Sequence, residues 1–252
     1  EIIFNDLIDY KNHYWFEKDE KISGNIGIDR QDNSFVCVTK ELKNLRMQLT
    51  DNELERYRVL GSLTGNIIEA VAKSINPGMS EQEIAGKIAQ KSYEKGILPI
   101  VNLVAADDRI YKYRHPLPKN NKVKKYAMLV ICAKKWGLIA NATRLVHIGS
   151  LSKKLKEKYE KVQQVEKSFL ENTITGMRLS DIFEKGVDSY KRVDFPKEWK
   201  KHHQGGITGY SPREIIANYN TNYKVKPNNV FAWNPSITGT KIEDTYFINE
   251  NG

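Results

Sequence analysis

The stretch His202–Glu214 reads His-His-Gln-Gly-Gly-Ile-Thr-Gly-Tyr-Ser-Pro-Arg-Glu. It combines two histidines with three glycines, a pattern in which backbone can approach a bound group while an imidazole points toward that group. Glycine-rich turns that contain a histidine also occur without any function. The stretch by itself therefore leaves a functional and a structural interpretation open.

A second stretch, Val230–Asp244, reads Val-Phe-Ala-Trp-Asn-Pro-Ser-Ile-Thr-Gly-Thr-Lys-Ile-Glu-Asp. It predicts two short strands around a Thr-Gly turn, one carrying Asn234 and the other Glu243. Because side chains two residues apart on a strand share a face, Lys241 or Thr245 is expected to point with Glu243. A histidine and a glutamate from different segments can share a metal ion or a proton.

The two stretches resemble the C-terminal half of the pita-bread family of creatinase, aminopeptidase P, prolidase and methionine aminopeptidase. In that family a His-x-x-Gly strand, an Ile-Glu-Pro strand and an Ile-Glu-Asp strand each give a metal ligand. The matching positions in this sequence are His203, Asn234 and Glu243. The resemblance implies an α+β, creatinase/aminopeptidase-like fold in which two helix pairs cover a curved, mostly antiparallel sheet.

Local patterns elsewhere in the chain agree with this fold. Two capping boxes, Thr50–Glu53 and Ser80–Glu83, predict helices that end near Ser74 and Lys95. The other predicted elements are an apolar strand over 99–105, a hairpin over 126–139, and helices over 151–173 and 179–189.

The sequence also suggests a division into two parts. Residues 1–49 are too few for an independent core, and short strands are expected within Gly24–Val38. By resemblance, residues 1–49 are the tail or remnant of an N-terminal creatinase-like domain, and residues 50–252 are the pita-bread peptidase-like domain.

Composition narrows the class of protein and of partner. The 252 residues are 40% hydrophobic, without a signal-peptide pattern or an 18-residue apolar run, which predicts a globular cytoplasmic protein with no membrane partner. The net charge of +9 is spread over Lys/Glu-rich helices, so no nucleic-acid partner is expected. Cys37 and Cys132 lack a Cys-x-x-Cys pattern and are predicted to be free thiols.

The family's metallopeptidases hold two divalent ions with two Asp, one His and two Glu. The corresponding residues here are Val130, Asn141, His203, Asn234 and Glu243. Valine has no lone pair and the two asparagines carry no charge, so paired ions would face a single carboxylate. The resemblance therefore implies that the metal pair is lost and that no cofactor is needed. His203 and Glu243 remain as residual candidates for a single divalent metal.

The resemblance adds two further candidate site residues. His115 matches a family His-x-x-Pro near the substrate, and Tyr210 stands where the family has a second histidine. We predict four catalytic residues and four ligand-binding residues around one pocket, with the asparagines at its floor: His203, His115, Glu243 and Tyr210, and Asn141, Asn234, Gly205 and Gly206. Without a metal, a buried Glu243 needs a partner, and His203 is the predicted one.

These positions support one leading function and two alternatives. The leading prediction is a Xaa-Pro peptidase/creatinase-like protein that binds a peptide or small amino-acid-like ligand or performs metal-independent hydrolysis. The alternatives are an active metallo-aminopeptidase or dipeptidase with an altered metal site, and a non-enzymatic protein-interaction module. An enzyme would be a hydrolase of the creatinase/aminopeptidase P type, and a homodimer stays open.

Overall fold

A computed structural model of the chain describes residues 16, 24, 26–31 and 35–248. Residues 1–42 and 43–252 form two compact units. In the smaller unit, strands β1 (Gly27–Ile28) and β2 (Val36–Cys37) pair in parallel, as short strands were expected there. Most of the predicted N-terminal segment 1–49 lies outside the described residues, so its assignment to a separate domain stays a prediction.

Six helices are present in the described part of the chain. They are α1 (Thr39–Met47), α2 (Asp51–Lys73), α3 (Glu81–Glu94), α4 (Asp108–Lys112), α5 (Lys153–Asn172) and α6 (Leu179–Arg192), with a 3₁₀ turn at Glu198–Lys201. Both predicted capping boxes are confirmed, because the Thr50 and Ser80 side chains accept hydrogen bonds from the backbone N–H groups of Glu53 and Glu83. The helices α2 and α3 each end one residue before the predicted position.

The strands of the larger unit form two antiparallel sheets and a hairpin. The first sheet has the order β3 (Leu98–Ala106), β4 (Tyr126–Lys135), β5 (Leu138–His147). The second has the order β11 (Asp244–Phe247), β8 (Val230–Trp233), β6 (Gly205–Thr208), β7 (Ile215–Ile216), and the hairpin joins β9 (Ser236–Ile237) to β10 (Thr240–Lys241). The Thr143 N–H donates to the Glu243 carbonyl at 2.8 Å, which links β5 to the segment before β11 and connects the two sheets.

Each sheet is covered by its own helix pair. Helices α2 and α3 bury Leu60, Ile68 and Ile84 in one apolar core with the first sheet. Helices α5 and α6 form a second core with β8, in which the rings of Phe169 and Trp233 stack with centroids 4.6 Å apart. Burial of such side chains is the main stabilising contribution to a fold of this kind. The α+β class, the antiparallel sheets and the two helix pairs agree with the prediction.

Two local details differ from the predictions. Helix α4 was not predicted; it begins after Asp107, whose carboxylate accepts the backbone N–H groups of Lys124, Lys125 and Tyr126 at 2.8–3.1 Å. The run Val230–Asp244 contains the three strands β8, β9 and β10 and the first residue of β11, rather than two strands. Asn234 and Glu243, which were predicted to lie on strands, are each next to a strand end. Of the helices that the structure describes, none is long and apolar enough to cross a membrane.

Candidate functional site

The antiparallel register gathers three predicted site residues at one end of the second sheet. Gly205 at the start of β6 and Asp244 at the start of β11 both lie opposite Trp233, the last residue of β8. Asn234 and Glu243 are the residues next to these strand ends, and His203 lies two residues before Gly205. They therefore come together because neighbouring strands run in opposite directions.

A cavity of about 130 Å³ lies at this end of the sheet, and we call it the inner pocket. Its apolar wall comes from β3 and β4 and consists of Val101, Leu103, Val130 and Cys132. Its polar wall consists of His115, His203, Arg213, Asn234, Lys241 and Glu243. Burial raises the pKa of the Cys132 thiol to about 12, so this sulfur stays protonated and is not a nucleophile at neutral pH.

The Glu243 carboxylate is bonded on both oxygens. Its Oε1 accepts from Arg213 Nη2 at 2.7 Å, and its Oε2 accepts from Lys241 Nζ at 2.8 Å and from the Thr143 hydroxyl at 2.9 Å. Burial opposes the charge of this carboxylate, but the two cations outweigh burial and lower its pKa to about 2. Glu243 is thus fully ionised at neutral pH and neutralised by protein cations.

The predicted pairing of Glu243 with His203 is therefore wrong. The true partners, Arg213 and Lys241, were not among the predicted site residues. Both stood in the two stretches that the sequence singles out, and strand alternation already directed Lys241 toward Glu243. Arg213 and Lys241 are nearly inaccessible, with side chains 8% and 3% exposed, and charged groups are rarely buried to this degree without a carboxylate partner.

Three histidines lie together at the pocket. The His115 ring stacks on His203 with centroids 5.9 Å apart, and it meets the His202 ring edge-on at 6.0 Å. Burial, followed by the nearby cations, lowers the pKa of His203 to about 4 and of His202 to about 3, and it also lowers the pKa of His115. All three imidazoles are therefore neutral at pH 7.

A buried hydrogen-bond network fixes the backbone beside these histidines. Gln204 accepts from the Tyr190 hydroxyl at 2.7 Å and donates to the carbonyls of His202 and Trp199. His202 Nε2 lies 2.9 Å from the Asn234 carbonyl. Since a carbonyl can only accept, this nitrogen carries the proton and Nδ1 of His202 does not.

Several buried polar atoms around the pocket have no hydrogen-bond partner among the described residues. Three belong to residues that line it: His203 Nδ1, Arg213 Nε and Asn234 Oδ1. Asn234 is only 2% exposed. A buried polar atom without a hydrogen-bond partner costs stability. Such atoms are typical of a site that receives a ligand or an ordered water.

Tyr210, Gly205 and Gly206, which were predicted to belong to the site, do not line the inner pocket. The Tyr210 hydroxyl donates to the Glu53 carboxylate at the first turn of α2, and its ring lies over Gly137. Gly205 and Gly206 do not line the inner pocket, because the space beside them is filled. A Cβ on either glycine would lie 2.1 Å from the carbonyl oxygen of a residue on a neighbouring strand. Their positive φ angles and close strand contacts give them a packing role.

Asn141 lies on β5 in the same buried region but donates its side-chain amide to Thr208 at 3.2 Å. Its backbone N–H donates to the Thr245 hydroxyl at 2.7 Å. In residues 35–248 and the described positions before them, no group of three His, Cys, Asp or Glu side chains is arranged to hold a metal ion.

A second, larger cavity of about 520 Å³ adjoins the first, and we call it the outer cavity. Its lining residues are Tyr111, Lys112, Tyr113, Arg114, His115, Lys201 and Thr238. His115 lines both cavities and marks the boundary between them.

The chain is similar in sequence to proteins that are named as peptidases. The chain is 22% identical, over its whole length, to an uncharacterized peptidase of Staphylococcus saprophyticus and spans 73% of that protein. It is 24% identical to the Xaa-Pro dipeptidase of Pyrococcus furiosus, over 86% of this chain and 65% of that one.

Solved structures give the same fold. The prolidase of Pyrococcus furiosus aligns with a TM-score of 0.80 at 21% identity, covering 86% of this chain and 67% of the prolidase. The X-Pro aminopeptidase of Thermotoga maritima aligns with a TM-score of 0.79 at 20% identity, covering 88% and 65% of the two chains. The predicted pita-bread fold is thereby confirmed. The defining pattern of metallopeptidase family M24 matches residues 55–250, and the chain belongs to this family.

Proposed function

We propose that the inner pocket binds a peptide or small amino-acid-like ligand and does so without a pair of metal ions. The observation that carries the proposal is the environment of Glu243. Arg213 and Lys241 lie 2.7 and 2.8 Å from its two oxygens. Two positive side chains thus stand where paired ions would have to approach this carboxylate.

The residues at the positions of the family's metal ligands do not fit two divalent ions. Val130 offers no lone pair, and Asn141 and Asn234 offer neutral oxygens. Glu243 has its charge neutralised by Arg213 and Lys241. Paired ions need bridging carboxylates to offset their mutual repulsion, and bringing further positive charge against two buried cations is unfavourable.

The pocket does fit the head group of an amino acid. Arg213 keeps a buried Nε–H with no described partner, which a ligand carboxylate can accept, and Asn234 keeps a buried Oδ1 that can accept from a ligand amine. The inner pocket, at about 130 Å³, is smaller than the roughly 300–1,000 Å³ of a site for a drug-sized ligand. The rest of a dipeptide would extend past His115 into the outer cavity.

A screen of dipeptides and free amino acids by thermal shift and calorimetry tests this proposal. The screen begins with Xaa-Pro dipeptides because a relative of this chain is a Xaa-Pro dipeptidase. We expect binding that His203→Ala weakens by about tenfold, through loss of a ligand contact worth about 1.4 kcal/mol. The matched control is His147→Ala, a substitution outside the inner pocket, which should bind as the wild type does. Equal binding by both variants would refute the placement of the ligand.

Elemental analysis of protein purified without chelators tests the metal component. We expect substoichiometric manganese, cobalt and zinc. Two metal ions per chain, with peptidase activity that chelation removes and metal restores, would instead establish the metallo-aminopeptidase alternative.

A second candidate function is metal-independent hydrolysis, and the neutral histidines favour it. His203 carries a buried Nδ1 without a described partner and has a pKa lowered to about 4 by burial and nearby cations. A neutral imidazole can accept a proton from water attacking a ligand, although so low a pKa makes it a weak base. Release of free amino acid from a bound dipeptide in the presence of a chelator, absent in His203→Ala, would support this function.

A further inference from the structure

The outer cavity concentrates positive charge. Lys112, Arg114 and Lys201 line it directly. Lys158 joins them by donating to the Thr238 carbonyl at 2.8 Å, and Thr238 is itself a lining residue. Three cations thus line the cavity, and a fourth is bonded to one of its lining residues.

Among the described residues, Glu198 is the carboxylate that forms ion pairs with these cations. It pairs with Arg114 at 2.9 Å and with Lys201 at 2.7 Å. The same carboxylate accepts the backbone N–H and the hydroxyl of Thr238. Its bonding capacity is therefore used within the cavity wall, and it offsets only part of the surrounding charge.

Burial and the surrounding charges both act on the pKa of Lys158. Burial, followed by repulsion from Lys154, Lys201 and Arg114, lowers the pKa of its ammonium group, while Glu198 acts in the opposite direction. Lys112 makes none of the ion pairs or side-chain hydrogen bonds that the structure describes. Cations that repel one another around an open cavity are stabilised by an anion that enters it.

We propose that the outer cavity binds a doubly charged anion, namely the phosphate group of a small molecule or phosphate itself. A phosphate dianion matches the excess charge of four cations over one carboxylate better than a single carboxylate does. Lysine ammonium groups and an arginine are the side chains that bind phosphate most often. The cavity volume of about 520 Å³ holds such a group with space for a neighbouring part of a ligand.

This site is distinct from the inner pocket, and its existence does not depend on the function proposed there. The two cavities share only His115. A small phosphorylated ligand could occupy both, with its phosphate in the outer cavity and its head group at Arg213.

The test is a calorimetric titration of the full chain with inorganic phosphate at pH 7.5 and constant ionic strength set with sodium chloride. The key variant is the double substitution Lys112→Gln/Lys201→Gln. The matched control is Lys119→Gln/Lys200→Gln, which removes the same charge from two exposed lysines that do not line the cavity. We expect phosphate to bind roughly tenfold more weakly to the first variant and within about twofold of wild type to the control.

The single variant Lys112→Gln guards against a folding artefact, because its ammonium has no described partner to lose. It should still weaken phosphate binding by roughly threefold. A parallel titration with O-phosphoserine distinguishes the sources of the phosphate. Tighter binding than inorganic phosphate identifies a phosphorylated ligand, equal binding identifies phosphate itself, and both results support the site.

Two results would overturn the proposal. The first is phosphate binding that is absent from the wild type. The second is an equal loss of affinity in the two double variants, which would mean that overall charge, and not this cavity, attracts the anion.

Discussion

Replacing Glu243 with glutamine removes the carboxylate that contacts two buried cations. Arg213 and Lys241 are 8% and 3% exposed, and each forms an ion pair with Glu243. In Glu243→Gln both cations keep their buried positions but lose the opposing charge. We therefore expect Glu243→Gln to lower the free energy of unfolding, in addition to any effect on ligand binding.

The size of the effect follows from the pKa of the carboxyl group. The two cations overcome burial and lower this pKa from 4.5 to about 2. At about 1.4 kcal/mol per pKa unit, this corresponds to roughly 3 kcal/mol of stability at neutral pH. Breaking a buried ion pair by removing one partner costs about 3–5 kcal/mol, in agreement. For a unit of this size, roughly 3 kcal/mol lowers Tm by about 6–12 °C.

Urea unfolding at pH 7.5, followed by circular dichroism, measures this loss directly. The control is Glu171→Gln, which breaks an exposed helical pair with Lys167 and should cost less than about 0.5 kcal/mol. The double variant Glu243→Gln/Lys241→Met removes one stranded cation and should recover at least about 1 kcal/mol. A Glu243→Gln protein within 1 kcal/mol of wild type would refute the charge-neutralising role of Glu243.

Three further predictions concern other parts of the molecule. The pKa of His202 is lowered by burial from 6.5 to about 3, so the unfolded chain binds this proton more readily and the free energy of unfolding falls as the pH drops below 6.5. At pH 5 the part of the loss due to His202 is about 2 kcal/mol. Urea unfolding at pH 7 and pH 5 should therefore show a smaller loss in His202→Gln than in wild type, by about this amount, while His203, with its pKa lowered to about 4, still contributes in both proteins. In Gly186→Ala the new methyl group would lie 2.1 Å from the Phe169 ring, so calorimetry should find the larger unit destabilised by about 1–3 kcal/mol. The control Gly86→Ala has open space around the new methyl group, and its stability should be unchanged or higher. Ser80→Ala removes one bond of the α3 capping box and should cost about 1 kcal/mol, while Ser62→Ala in the exposed middle of α2 should cost almost nothing in the same denaturation assay.

Much of the fold could be predicted from the sequence because its signals are local. The capping boxes at Thr50 and Ser80 predicted the starts of α2 and α3 through hydrogen bonds that span three residues. The stretches around His203 and Glu243 implied a mostly antiparallel sheet through their resemblance to the family. Helix α4 was missed because the Asp107 side chain that precedes it bonds to backbone at Lys124–Tyr126, a contact that no local pattern encodes.

The candidate site, like the fold, was predicted only in part from the sequence. By itself the sequence determined that the positions matching the family's metal ligands hold only one carboxylate, Glu243, and that Lys241 would share its face. Only the tertiary structure decided that Arg213 completes the neutralisation of Glu243, and that Tyr210 turns away to bond Glu53. The physical reason is that alternation along a strand fixes which way a side chain points, whereas the partner of a buried charge depends on which distant segments the fold packs against it.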